Sequence, residues 1–359
     1  MAANSFGELF RISSYGESHG QEVGVLIDGC PAGISIDEAF IRSELDRRRP
    51  GQSDLTTQRN EGDQYEICSG VFEGKTTGVP ILIRIPNKDH RTSDYSALQG
   101  KYRPSHADQT YDLKYGTRDH RGGGRSSARI TAGWVAAGAI AKMVLQQIGD
   151  PKIHAYVRQV HSVVDPTPLD SIDWQLVEGN SVRMADTNSA AEATEIILKA
   201  AEAGDSLGGV IRGCIMDPEA GLGEPVFDKF QAGLGQALLS LNAVKGISFG
   251  EGFALSTMKG SEANDGWSGS KDGKPSTNRS GGLAGGISNG NPIYFDVAFK
   301  PTASISKEQD LLTTDGSVIK HSIDGRHDPC VVPRAVPIVE SLTAIIYLNY
   351  LLLQRARKL

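Results

Sequence analysis

Two histidines in polar loops, a glycine run flanked by arginines, and a late arginine–histidine–aspartate triplet are the residues of this chain best suited to chemistry. His19 sits in Tyr15-Gly16-Glu17-Ser18-His19-Gly20, and His106 in Arg103-Pro104-Ser105-His106-Ala107-Asp108. Small, turn-forming neighbours place a titratable ring at a pocket wall, and imidazole exchanges a proton near neutral pH. Taken singly, each is still better read as a surface histidine, and His154 and His161 as structural or exposed. The stretch Arg121-Gly122-Gly123-Gly124-Arg125-Ser126-Ser127 leads into a helix. Free N–H groups at a helix N-terminus attract an anion, glycine lets it come close, and Arg121, Arg125 and Arg129 add charge. A solvated loop is the plain alternative, and a lone RNA-binding tract fits an acidic chain poorly. Gly325-Arg326-His327-Asp328-Pro329-Cys330 closes the set just before the last helix.

Other glycine motifs lead away from nucleotides. Gly70-Val71-Phe72-Glu73-Gly74-Lys75-Thr76 has three residues between its glycines where a P-loop needs four, and a strand follows it. It reads as a hairpin turn. The segment from Ser276 to Gly290 is too rich in glycine for a helix or a well-packed strand. It suits a linker or a loop laid against a flat ligand.

These loops need a frame. Strand character at 7–13 and 23–28 is followed by a helix whose capping box is Ser35 and Glu38, whose stripe is Ala39, Ile41 and Leu45, and whose stop is Pro50-Gly51. Strands at 65–72 and 79–85 come next, then a long irregular stretch, 87–124, and a helix over 126–148. The second half reads as strands at 153–164, 209–216, 247–255 and 293–299, helices at 189–202 and 228–241, and a last helix. Strands fall in neighbouring pairs, which points to α+β rather than a doubly wound parallel sheet, and to a single large domain over 1–359.

Composition sets the limits. Of 359 residues 42 are glycine, and the formal charge is −6, which argues against nucleic-acid or acidic-membrane binding. The cysteines, Cys30, Cys68, Cys214 and Cys330, form no C-x-x-C pair, so neither a metal site nor a disulfide framework is expected. No signal-like segment opens the chain, and the apolar stretch 336–353 is broken by Pro337, Glu340 and Asn349, as in a buried helix. A cytoplasmic enzyme for a small anion is the expectation.

Together GESHG (16–20), DRRRPG (46–51), RPSHAD (103–108), YGTRDHRGGGRSSAR (115–129), AGLGEPVFD (220–228), NAVKGISFG (242–250), SGGLAGGISNG (280–290), KPTASI (300–305) and GRHDPC (325–330) resemble the chorismate synthase family over nearly the whole chain. The resemblance implies a helical layer between antiparallel sheets, an internal pseudo-duplication and a homotetramer. It implies the conversion of 5-enolpyruvylshikimate 3-phosphate to chorismate and phosphate, with reduced FMN as a transient electron donor.

By the same resemblance, His106 is the acid for the departing phosphate, His19 the proton donor to the flavin, and Asp328 a base acting beside it. Arg48, Arg103, Ser127, Arg129 and Arg326 would hold the substrate. Arg125, Ser126, Ser127, Asn242, Ala243, Gly285, Lys300, Pro301, Thr302, Ala303, Ser304 and Arg326 would enclose FMN. The family's second arginine, six residues after Arg48, is replaced here by Asp54, with Arg49 and Arg59 as candidate substitutes. The flavin could be reduced by NADPH in the main cleft or by an external reductase. The rival classes are a flavin oxidoreductase, which consumes reductant, and a binding module without chemistry.

Overall fold

Period-two burial builds the first sheet. Val23, Val25 and Ile27 alternate with more exposed residues along Glu22–Asp28, and Ile81, Ile83 and Ile85 do so along Ile81–Pro86. The computed structural model describes residues 3–51, 55, 62–88, 98–267, 269, 273–323 and 328–357. Its first sheet runs Ser5–Phe6, Arg11–Gly16, Glu22–Asp28, Ile81–Pro86, Glu66–Ile67, antiparallel throughout. A second five-stranded antiparallel sheet runs Val163–Val164, Lys152–Val160, Gly209–Met216, Ile293–Phe299, Val244–Phe249. In both, the third strand of the sheet pairs with the last and the last with the fourth, as an internal duplication would give.

Helices lie between the sheets. Thr131–Ile148 packs on the first sheet and on the last helix, Val332–Arg357, which in turn covers Lys152–Val160 and Gly209–Met216. Two glycines allow the close approach. A Cβ on Gly133 would stand 2.8 Å from the Gly24 carbonyl oxygen, and one on Gly138 2.3 Å from Ser341 Cβ. One apolar core therefore runs through both sheets. Thr131–Ile148, with the three residues before it, and Val332–Arg357 are long and apolar enough to cross a membrane, but 83% and 89% of their apolar windows are buried in the protein. They are core helices. Pro337 does not interrupt the last one: the Pro333 carbonyl, which lacks a helical donor because of Pro337, accepts from Arg183 Nη1 at 2.6 Å.

Several local expectations need correcting. Asp37, not Ser35, caps Glu38–Arg48 by accepting from the Phe40 N–H at 3.1 Å, while Ser35 bridges to Lys75. The first long strand is Arg11–Gly16, because Gly7 turns the chain at φ 93°. Within the stretch expected to be irregular, Lys101–Tyr102 joins a small sheet with Gln309–Thr313 and Val318–His321, and Asp108–Tyr115 forms a helix ended by Gly116 at φ 72°. The helix expected from 126 starts at Thr131, after two 3-10 turns, Gly124–Ser126 and Ala128–Ile130. Gly209–Met216 and Ile293–Phe299 lie where the sequence pattern put them, and 71–76 is a hairpin as expected.

Candidate active site

His106 lies in the turn ahead of the Asp108–Tyr115 helix, where Ser105 takes φ 55°. Asp108 turns its carboxylate back into this loop. Its Oδ1 stands 2.8 Å from each of His106 Nδ1, Arg103 Nη2 and Arg118 Nη1. Its Oδ2 accepts from Arg103 Nε at 2.8 Å and from the Arg103 backbone N–H at 3.0 Å. Burial opposes the charge, but the bonds from Arg103 and His106 outweigh it and hold this carboxyl far below the usual range. Arg103 Nη1 reaches on to Ser304 Oγ at 3.3 Å.

The glycine run makes room for a ring. His19 is buried, with Ser18 Oγ 2.9 Å from its Nδ1, and a Cβ on Gly122 would stand 2.0 Å from that nitrogen. The arginines of this segment diverge, contrary to the shared anion cradle expected from the sequence. Arg121 pairs with Asp119 at the surface. Arg125 donates to the Gly16 carbonyl at 2.9 Å and to Ser14 and Asn4 at the edge of the first sheet, and burial lowers its pKa. Arg129 points inward, its Nε donating to Asn87 Oδ1 at 2.8 Å and its Nη1 pairing with Asp63. A 3-10 path without helical repeat explains why positions four apart do not share a face.

Asp63, at φ 40° and fully buried, also takes Arg48 Nε at 3.0 Å and Nη2 at 2.7 Å. Arg48 Nη1 donates to Ala128 O and Thr131 Oγ1, and burial pulls the guanidinium down to about 10 despite Asp63. Arg48 is therefore enclosed by the chain's own acceptors. Its carbonyl accepts from Arg334 Nε at 3.3 Å, and Arg334 pairs with Asp328. Thr302 Oγ1 donates to the Asp328 carbonyl at 3.1 Å. Asn242 donates to Ser126 O at 2.6 Å, and the Ala243 carbonyl accepts from the Lys300 N–H at 2.9 Å. Pro301 and Ala303 lie between these anchors, and Ser127 Oγ accepts from the Arg129 N–H at 3.3 Å.

One succession of bonds thus links the two histidine loops, Asp328, and the 125–129, 242–243 and 300–304 stretches. Part of this set, Glu17, Ala107, Asp108, Arg125, Ser126 and Asn242, borders a cavity of about 670 Å³ whose wall also includes Tyr111, Arg118 and Trp134, and Asp328 and 300–304 join through bonds rather than as its lining. Asn242 Oδ1 is buried there and meets no donor among the described residues. An orphaned acceptor, aromatic walls and side-chain-free glycine backbone fit a flat heterocycle that carries an N–H. Gly285 is not joined to this set: it turns a separate hairpin bonded to Gly221, Leu222 and Phe230. Arg326, Asp54 and Arg59 lie outside the described residues. Arg49 pairs with Asp46 on the first helix. Asp63, Asn87 and Arg334 went unread in the sequence. Asp108 and Arg118 stood inside motifs but carried no role.

A profile of the chorismate synthase family matches residues 10–352. The chain belongs to that family. The chorismate synthase of Cytophaga hutchinsonii is 51% identical over 99% of both chains. That of Synechococcus elongatus is 52% identical over 99% of this chain and 98% of its own. A crystal structure of a chorismate synthase superposes with a TM-score of 0.77 at 28% identity, covering 97% of this chain and 93% of that one. Family membership over the full length makes this chain an enzyme, a carbon–oxygen lyase of aromatic amino acid biosynthesis.

Proposed function

We propose that this chain eliminates phosphate and the C6 proton, anti and 1,4, from 5-enolpyruvylshikimate 3-phosphate to give chorismate, in the cytoplasm, as a homotetramer of one catalytic domain. What supports the reading is the bonded succession of the expected residues, of which Arg125, Ser126 and Asn242 line a cavity, in a chain of this family. Reduced FMN, when bound, supplies reversible electron donation, a chemistry that no side chain offers.

The chain's own residues do the rest. His106 gives a proton to the departing phosphate, and Arg103 beside it stabilises the charge gathering there. With flavin bound, His19, set against Gly122, would be a proton source beside it, and Asp328 would be the group that takes a proton up. Arg326 and Ser127 complete the anion site, and Arg129, whose donors are held by Asn87, Asp63 and Pro86, adds charge from behind it. Arg48 adds a fixed charge behind it, because Asp63 and Thr131 already occupy its donors. Asn242, Ala243, Arg125, Ser126 and 300–304 would hold FMN, with Gly285 set apart from them, and NADPH is a candidate reductant.

The test is an anaerobic assay with the substrate and dithionite-reduced FMN. Equal yields of phosphate and chorismate, with many turnovers per reductant equivalent, are expected. One reductant consumed per turnover would indicate an oxidoreductase, and ligand binding without product a binding module.

A further inference from the structure

We infer that Asp108 is a positioning residue for the elimination: it orients His106 through Nδ1 and leaves Nε2 as the atom that exchanges the proton. The inference deepens the proposed function and rests on His106 being the acid.

Three observations carry it. First, Arg103 and Arg118 place four donors on Asp108, two on each oxygen, so this carboxylate is held as an anion and is not itself the group that takes a proton. Second, the proton on the ring can be placed. Arg103 Nη2 lies 3.1 Å from His106 Nδ1, but its hydrogen has a charged acceptor at 2.8 Å in Asp108 Oδ1. A bare Nδ1 would face that oxygen lone pair to lone pair at 2.8 Å in a buried setting. Nδ1 therefore carries hydrogen and donates. Third, Asp108 is the first residue of its helix, where the dipole favours a carboxylate, and the Arg103 backbone N–H holds its Oδ2.

The consequence fits the chemistry. Phosphate leaves with the electron pair of its C–O bond and takes the proton from Nε2, and the ring that remains is the neutral Nδ1–H form already bonded to Asp108. The charged neighbours of this ring are Arg103 and Asp108, with Arg118 paired to the same carboxylate and, at 3.9 Å, to Asp112.

The test is a double-mutant cycle in kcat. His106→Ala is expected to lose about a hundredfold, and Asp108→Asn on the order of tenfold or more by misplacing the ring. In the His106→Ala background, Asp108→Asn should cost little further kcat, its remaining effect appearing in KM through Arg103. An equal factor in both backgrounds would overturn the inference and leave the role of His106 standing. Full turnover in His106→Ala would remove both. A second measurement needs no folded Asp108 variant: the imidazole 15N spectrum of the unaltered protein, with His106 assigned by its loss in His106→Ala. The Nδ1–H tautomer at alkaline pH is expected, and an Nε2–H tautomer would contradict the inference.

Discussion

Two buried carboxylates, Asp108 and Glu340, each gather several cations, and they differ in what those cations can do. Glu340, in the last helix, takes Arg47 Nη1 at 2.7 Å and Lys142 Nζ at 2.9 Å on one oxygen. The other oxygen accepts from the Ala155 N–H at 3.2 Å, which joins the helix layer to the second sheet. Glu44 shares both cations. These partners keep their charge throughout the physiological range, so the cluster braces four elements and exchanges no proton. Asp108 is as deeply buried, but one of its partners is an imidazole, 21% exposed beside the cavity. A titratable partner at an opening is what separates a site from a brace.

The largest expected effect is on the brace. Glu340→Ala leaves Glu44 as the one buried carboxylate shared by Arg47 and Lys142 and should cost about 3 kcal/mol in urea unfolding, with turnover per folded molecule nearly unchanged. A large kcat loss with intact stability would put Glu340 on the catalytic side. Acid should act through the same group. Burial disfavours its charge, yet Arg47 and Lys142 outweigh that and depress its pKa well below the ordinary 4.5. Its contribution is complete above that value and is lost as pH falls towards the depressed one. Melting temperatures of Glu340→Gln should therefore fall less steeply below pH 4.5 than those of the unaltered protein.

A smaller effect is expected at the site. Gly122→Ala drives a methyl group into the His19 ring without backbone strain, since φ at Gly122 is not positive. It should lower kcat on the order of tenfold through displacement of the ring, and unchanged kcat would show that the position of His19 does not matter. The smallest belongs to Arg121→Ala, where an exposed pair with Asp119 is removed. Less than about twofold change in kcat/KM is expected, and a tenfold rise in KM would restore Arg121 to the anion site.

What the sequence made legible follows the physics of burial. Gly209–Met216 and Ile293–Phe299 lie at the centre of a sheet covered by helices, and their apolar residues mark them clearly. Asp108–Tyr115 left no such trace, because it is held by charge and carries its one aliphatic residue, Leu113, 77% exposed. Motifs named His19, His106 and Arg125, but not where their side chains turn. Arg121, Arg125 and Arg129 read as one charge cluster until the 3-10 path sent them three ways. Asp63 was silent, since a carboxylate between two arginines looks like surface charge until its burial is known.

The most direct measurement is a crystal structure with oxidised FMN and the enolpyruvyl substrate. Flavin density bordered by Arg125, Ser126 and Asn242, with the substrate phosphate at His106 and Arg103, is the predicted result. Density elsewhere, for example in the separate cavity of about 390 Å³ beside Trp174 and Glu340, with the Asn242 pocket left to water, would contradict it.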